Sequence, residues 1–382
     1  MKTILSFLFC FFLWSNPLVV FCQNKIIFQV QSSPAKDSAD TIFATGDFNN
    51  WIPNDLNYQF KNTNGIKSLE IILPNGNYEY KFTRGNWDKG ETNMKGQPVK
   101  NRILKLSSDT AIDVVIQGWN DNFNPPTSKI IKHTASKNVT IIDTAFFIPQ
   151  LNRTRRIWIY LPENYDKSTR KYPVLYMHDG QNLFDNATSY SGEWGVDEYL
   201  DSIFLKGKKQ VIVVGIDNGL SKRMSEYNPW EFQNFGKGEG DFYVDFLVKT
   251  LKPFIDKNYK TLTSKKNTFI AGSSMGGLIS LVAVLKYPNV FGGAGIFSPA
   301  FWTASGMDSL VTANAKNLHA KLFFYAGGKE GESMLPDMER VEKIIRSTSK
   351  SSSKELIDPN ASHNEAAWRK YFPAFYEWTI AQ

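Results

Sequence analysis

Three residues far apart in the chain, Ser274, Glu330 and His363, have the types and surroundings that nucleophilic catalysis requires. Ser274 lies in Gly272-Ser273-Ser274-Met275-Gly276, a G-x-S-x-G pattern between the apolar stretches "NTFIA" and "LISLVAVLKYP". A serine hydroxyl is a poor nucleophile unless it is exposed and held beside a base. A sharp strand-to-helix turn projects such a serine above a sheet edge and strains its backbone. Side chains at the flanking positions would clash there, which accounts for Gly272, Gly276 and Gly277. The helix start then aims free N–H groups and a positive dipole end at the reacting oxygen.

A serine of this kind needs a base and an acid from later strand ends, in the order Ser, acid, His. The four histidines are His133, His178, His319 and His363. His363, in "DPNASHNEAAW", follows the last expected strand and precedes the final helix, where its imidazole can meet Ser274. His133 and His319 read as surface residues. The acid is expected just past the strand "KLFFYAGG". Glu330 is the first choice, Glu332 its nearest rival, and Asp337 and Asp358 lie further off. An acid there orients the imidazole and stabilises its protonated form. "MHDGQN" closes another strand at the same edge. The N–H of Met275 and one from that turn, at Gln181, are the expected oxyanion donors. His178 reads as a structural residue flanking the turn.

The elements that position these residues change character along the chain. From Lys25 to about Trp119, "KIIFQVQ", "TIFATGDF", "SLEIILPNGNYEYKF" and "AIDVVIQGW" alternate or are β-branched, and "PNGN" is a hairpin signal. No amphipathic helix is expected there, so residues 23–119 read as a β-sandwich of immunoglobulin-like type. Residues 120–139, with Pro125 and Pro126, read as a linker. From Thr140 to the end, strands at "RRIWIYLP", "YPVLYMHDG", "QVIVVGID", "NTFIAGSS", "GGAGIFSP", "KLFFYAGG" and "KELID" alternate with helices. Several are continuous apolar runs, as in parallel strands covered on both faces. Val244, Leu247, Val248, Leu251 and Ile255 share one helical face, as do Leu278, Leu281, Val282 and Leu285. Residues 140–382 are therefore expected to form an α/β domain with a mostly parallel sheet.

Lys2, the run "ILSFLFCFFLW" and the polar break Ser15-Asn16-Pro17 predict a secretory signal peptide over residues 1–22. The run is too short for a stable membrane span. Phe21 is bulky where a lipidation signal before Cys22 would want a small residue. Both cysteines, Cys10 and Cys22, fall in that segment, so the remainder must be stable without disulfides. Its balance of 43 Lys+Arg to 37 Asp+Glu, once Lys2 is removed from the 44, has no dense basic run. That excludes a nucleic-acid-binding pattern.

Taken together, "RRIWIYLPENYD", "YPVLYMHDGQNLFD", "RMSEYNPW", "AGSSMGG", "YAGGKE" and "HNEAAW" resemble the esterase D family of α/β-hydrolases, which includes carbohydrate esterase family 1. The resemblance covers Thr140 to the end. It implies ester hydrolysis by a serine nucleophile without metal or other cofactor. It places Glu in "GGKE", where relatives often carry Asp. Members include acetyl and feruloyl esterases, siderophore esterases and mycolyltransferases. The first domain is similar to starch- and glycogen-binding modules at "GDFNNW", "NGNYEYKF", "GNWDKGE" and Asn101-Arg102. That similarity implies sugar stacking on Trp51 and Trp87, since a pyranose offers an apolar C–H face.

The loops "RMSEYNPW" and "SPAFW" leave strand ends at the edge carrying Ser274, where open α/β sheets bind ligands. Arg223, Glu226, Trp230 and Trp302 are the expected substrate-binding residues. The leading expectation is a secreted or periplasmic serine carboxylesterase acting on acetyl- or feruloyl-type esters of carbohydrate. A siderophore esterase and a non-catalytic glycan-binding protein are the alternatives. The siderophore reading requires several basic pocket residues.

Overall fold

The computed structural model describes residues 23–34, 40–49, 51–123, 133–190, 192–232 and 235–381; the leader expected over 1–22 lies outside them. The chain divides into two compact units, residues 1–129 and 130–382.

The first unit is β-rich. Its strands are β1 (Gln23–Ser32), β2 (Phe43–Gly46), β3 (Lys61–Thr63), β4 (Ile66–Pro74), β5 (Gly76–Thr83), β6 (Glu91–Thr92), β7 (Arg102–Leu106), β8 (Thr110–Val115) and β9 (Gly118–Trp119). They form sheets of order β3-β4-β1-β8, β2-β5-β7 and β6-β9. Alternation decides which residues go inside. Along β4, Leu69, Ile71 and Leu73 are buried while Glu70 and Ile72 are exposed. They share one apolar cluster with Phe28 of β1, Ala44 of β2, Tyr80 and Phe82 of β5 and Leu104 of β7. The "PNGN" hairpin expectation is corrected. β4 and β5 belong to different sheets, so the turn carries the chain from one sheet to the other. Its residues have hairpin propensity, but the partner of each strand is set by which face buries.

The stretch expected as a linker, 120–139, is structured at both of its described ends. Asn120–Phe123 form a short helix, α1, whose Asp121 pairs with Arg84. Residues 133–138 are bound by acceptors in the second unit, with Thr134 N–H donating to Asp185 (3.1 Å), Ser136 N–H to Asp197 (2.7 Å) and Asn138 Nδ2 to Asp201 (2.8 Å). Polar composition there reflects satisfied hydrogen bonds as well as solvent.

In the second unit the strands are β10 (Val139–Ile148), β11 (Arg153–Tyr160), β12 (Val174–His178), β13 (Ile212–Ile216), β14 (Thr268–Ser273), β15 (Gly293–Phe297), β16 (Lys321–Gly327) and β17 (Ser352–Asp358). They make one sheet of order β10-β11-β13-β12-β14-β15-β16-β17. β10, β11 and β13 pair antiparallel, and every pairing from β13 to β17 is parallel. β12 to β16 are buried almost throughout, as apolar runs between two helical layers must be. The helices are α2 (Val196–Phe204), α3 (Arg223–Glu226), α4 (Gly240–Phe246), α5 (Lys252–Asn258), α6 (Met275–Lys286), α7 (Met307–Asn314), α8 (Met334–Thr348) and α9 (Glu365–Thr379). A π-helical turn, Leu247–Leu251, joins α4 to α5. Two apolar clusters cover the sheet, one built around α6 and α8 and the other around α9. The one-face expectation for α6 is too narrow: every residue from Met275 to Leu285 is buried.

Candidate active site

The serine sits where the strand-to-helix turn is tightest. Ser274 joins β14 to α6 with φ 58° and ψ −121°, a backbone conformation that strains a residue bearing a side chain. Its N–H donates to the carbonyl of Phe297 (2.9 Å), and its own carbonyl accepts from Ala300 N–H (3.1 Å), so the elbow is clipped to the end of β15. The glycines are required by contact. A side chain on Gly272 would meet the Gly276 backbone and the His178 ring at 2.9 Å, and one on Gly277 would meet the Phe297 carbonyl at 2.8 Å.

Acid and base meet across neighbouring strand ends. Glu330 follows β16 and His363 follows β17, and the Glu330 Oε2 lies 3.0 Å from His363 Nδ1. The Glu330 side chain is fully buried, whereas a third of the His363 side chain is exposed (0% and 34%). Glu330 Oε1 accepts from Ser298 Oγ (2.8 Å) and Gly327 N–H (2.7 Å). Ser298 in turn accepts from Trp368 Nε1 (2.9 Å), and the Trp368 ring stands edge-on to His363 with centroids 5.1 Å apart. A carboxylate fixed in this way orients the imidazole with its proton on Nδ1 and leaves Nε2 to accept one. His363 directly precedes α9, whose N-cap Asn364 accepts from Ala367 N–H (3.0 Å).

The rival acids are elsewhere engaged. Glu332 is exposed. Asp337 pairs with Arg340 at 2.9 Å. Asp358 is held down to about 2, first by the Tyr371 hydroxyl and then by Lys370. Of the other histidines, His319 is exposed and His133 faces Asp185. His178 is fully buried, hydrogen-bonded to the Tyr243 hydroxyl at 2.9 Å, and pushed down to about 3 by that burial. It stays neutral and flanks the turn, as expected.

Met275 is the first residue of α6, so its N–H has no acceptor within the helix. Gln181 lies in a single 3-10 turn, Gly180–Asn182, at the end of β12. Its side chain accepts from Asn218 N–H at 3.2 Å.

The Esterase family model matches residues 148–378. The chain belongs to that family. The esterase is similar to YbbA of Bacillus subtilis, at 27% identity over 59% of this chain and 92% of that protein. It is also similar to an endo-1,4-beta-xylanase/feruloyl esterase of Xylanibacter ruminicola, at 25% identity over 63% of this chain and 31% of that longer protein. Among solved structures, the siderophore hydrolase EstB of Aspergillus nidulans shares the fold. Its TM-score is 0.52 at 17% identity, over 64% of this chain and 96% of that one. The protein is a carboxylic ester hydrolase of α/β-hydrolase fold.

The expected substrate residues of the esterase fare differently. Glu226 is corrected: its side chain is wholly buried (0% exposed) and pairs with Arg153 (2.9 Å) and Arg155 (2.6 Å) of β11. The short helix α3 turns it inward between two cations, with Glu239, 2.8 Å from Arg153, supplying the second negative charge, so no part of the Glu226 side chain is open to a substrate. Arg223 grips Asp179 with Nε (2.7 Å) and a terminal nitrogen (2.8 Å). Trp230 is half-buried against the core, and a side chain at Gly306 would run into its indole. Trp302 is 45% exposed, two residues beyond the Ala300–Ser274 hydrogen bond. Asn228 ties both loops together, donating to the Thr303 carbonyl (2.9 Å) and accepting from Trp230 N–H (3.0 Å).

In the first unit, Trp51 and Trp87 lie side by side, ring centroids 6.2 Å apart with planes inclined by 32°. Both are half-buried, and Trp51 Nε1 donates to Asp47 (3.1 Å). Asn101 Nδ2 donates to Glu79 (2.7 Å), whose N–H donates to Asp47 (2.7 Å).

Sequence reasoning missed Asp179, Asn218, Ser298 and Trp368. Each acts on another side chain, and no spacing rule reports such contacts. The one available signal was Asp179 in "HDG", a polar residue between an apolar strand and a glycine.

Proposed function

We propose that this esterase is a secreted serine carboxylesterase removing acetyl- or feruloyl-type acyl groups from carbohydrate. The observation that carries the reading is the buried Glu330 against the partly exposed His363, at the ends of the second and third strands beyond the one that ends in the strained Ser274. His363 Nε2 takes the Ser274 proton as Oγ bonds to the ester carbonyl carbon. The displaced electron pair rests on the carbonyl oxygen, where Met275 and Gln181 N–H groups receive it. Collapse restores the carbonyl, breaks the bond to the sugar oxygen, and returns the proton from His363 to that oxygen. Water repeats the sequence on the acyl-serine and releases the acid. Carbohydrate as alcohol is supported by the feruloyl esterase relative and by the paired tryptophans. Secretion is supported by the apolar run of residues 1–22.

Ser274→Ala is expected to lower ester turnover by several orders of magnitude with folding intact. A fluorophosphonate should label Ser274 in the wild type alone. Retention of more than about a tenth of turnover would place the nucleophile elsewhere. A panel of p-nitrophenyl and methyl hydroxycinnamate esters identifies the acyl group. The siderophore alternative relied on basic pocket residues, and Arg223, its one support, is neutralised by Asp179.

For the first unit we infer an immunoglobulin-like sandwich that binds glycan on Trp51 and Trp87. Trp51→Ala with Trp87→Ala should abolish retardation of the protein in gels containing starch or glycogen. Unchanged mobility of wild type and variant in every glycan tested would remove this role.

A further inference from the structure

Arg223 lies between the two turns that present the expected oxyanion donors. Its Nε and one terminal nitrogen clasp Asp179 at 2.7 and 2.8 Å, in the turn that presents Gln181. The same terminal nitrogen approaches the carbonyl of Ser273, the residue before the nucleophile, at 3.5 Å. Asp179 has φ 56° and ψ 48°, a left-handed conformation that is unfavourable for a residue with a side chain. That conformation folds the strand end back into the Gly180–Asn182 turn. Three further contacts hold it. Asn218 Nδ2 donates to the Asp179 carboxylate (2.7 Å), the Asp179 N–H donates to the Tyr227 hydroxyl (3.3 Å), and the Arg223 guanidinium lies 5.3 Å from the Tyr227 ring centroid.

Charge makes the clasp necessary as well as rigid. Asp179 is 5% exposed. Burial works against its charge, but Arg223 and then Asn218 keep its carboxyl below the ordinary range. The carboxylate lies beside the first turn of α6, since a side chain on Gly276 would sit 3.3 Å from its Oδ2. An uncompensated negative charge there would oppose a negative charge growing on the substrate oxygen.

We propose that Arg223 is a positioning residue, joining the Asp179 turn to the serine elbow so that the Gln181 and Met275 N–H groups converge on one oxygen. It also cancels the Asp179 charge beside that oxygen. The proposal rests on the serine mechanism given above, and it replaces substrate contact as the role of Arg223.

The test uses the full chain, p-nitrophenyl acetate and a methyl hydroxycinnamate, with active sites counted by fluorophosphonate titration. Arg223→Gln is expected to lower kcat per titrated site about a hundredfold on both esters, as removal of an oxyanion donor does. KM should change by less than about threefold, because the lost interaction belongs to the transition state. Asp179→Asn should lower kcat about tenfold, and the double variant should be no slower than Arg223→Gln, because both act through one contact. Arg223→Lys, keeping the charge but not the two-pronged grip, should recover part of the loss. Unchanged kcat per site with only a lower Tm would overturn the proposal. So would a raised KM for the larger ester alone, or losses that multiply in the double variant. If Arg223→Gln does not fold, Asp179→Asn decides: wild-type kcat per site overturns the proposal. A wild type that hydrolyses esters without labelling at Ser274 would instead overturn the serine reading beneath it, a result visible before any variant is made.

Discussion

Glu330 presents one carboxylate oxygen to His363 Nδ1 at 3.0 Å and gives the other to Ser298 and the Gly327 N–H. The acid is thereby fixed at both oxygens while the imidazole it serves keeps a face to solvent. Glu330→Gln should reduce kcat by at least about a hundredfold, since the amide no longer stabilises a protonated imidazole. Glu332→Gln, at an exposed position, should stay near wild type. Kinetics on p-nitrophenyl acetate decide, and a larger loss for Glu332→Gln would move the acid by two residues.

Ser298 bridges that acid to the Trp368 indole. Ser298→Ala leaves a buried indole N–H without its acceptor and Glu330 with one donor fewer. A buried donor stranded in this way costs about 1–3 kcal/mol. The variant should therefore show a Tm several degrees lower and a kcat lower by roughly tenfold, with KM unchanged. Wild-type kcat together with a lowered Tm would confine Ser298 to structure.

Glu226 was expected at the substrate and instead compensates Arg153 and Arg155. Glu226→Gln takes the buried negative charge from Arg155 and leaves Arg153 to Glu239 alone, a break in a buried pair that costs up to about 3–5 kcal/mol. Denaturant unfolding should show that loss while KM for every ester tested stays at the wild-type value. A raised KM at undiminished stability would restore the substrate role.

The legible part of the molecule was whatever repeats or is sterically required. Parallel strands declare themselves as apolar runs, so β12 through β16 match the stretches expected for them. The glycines around Ser274 declare a turn in which no side chain fits. β10 was missed because its register slips twice, between Ile141 and Asp143 and between Asp143 and Phe146, which erases the alternation that marks a strand. Glu226 was misread because charge type is visible in a sequence but the direction of a four-residue helix is not. "RMSE" offers no period from which to learn which residue turns inward. The partner strands of "PNGN" were misread for a related reason, since a turn's propensity does not say which sheet its second strand will join.

Asp197 gives the second unit a pH-dependent stability. It is fully buried and pushed up to about 8 from 3.8, first by burial and further by the neighbouring Glu198. One of its oxygens accepts from Ser136 N–H, and the other is buried beside Glu198. The folded protein thus holds this proton more tightly than the unfolded chain. The associated stability is present in full below about pH 4 and is lost as pH rises through about 8. Tm should fall between about pH 5 and 9 in the wild type and fall less steeply in Asp197→Asn, which carries no proton to lose. Parallel Tm profiles for the two proteins would assign the pH dependence to other groups.

Trp302 is the remaining test of the cleft. A tryptophan this exposed (45%) contributes little to packing, and its turn, Phe301–Thr303, begins one residue after Ala300, whose N–H is bound to the Ser274 carbonyl. A flat, exposed apolar ring in the loop clipped to the Ser274 carbonyl suits the face of a hydroxycinnamoyl group or a sugar, which stacks on an aromatic surface. The acetyl group of p-nitrophenyl acetate has no such face to stack. Trp302→Ala should therefore raise KM for a methyl hydroxycinnamate about tenfold, the equivalent of about 1.4 kcal/mol of binding. It should leave the acetate ester and Tm unchanged. Trp230→Ala, by contrast, removes an indole packed against the core over Gly306 and should lower Tm by several degrees. Equal losses on both esters for Trp302→Ala, accompanied by a lower Tm, would show that this ring supports the fold and does not meet substrate.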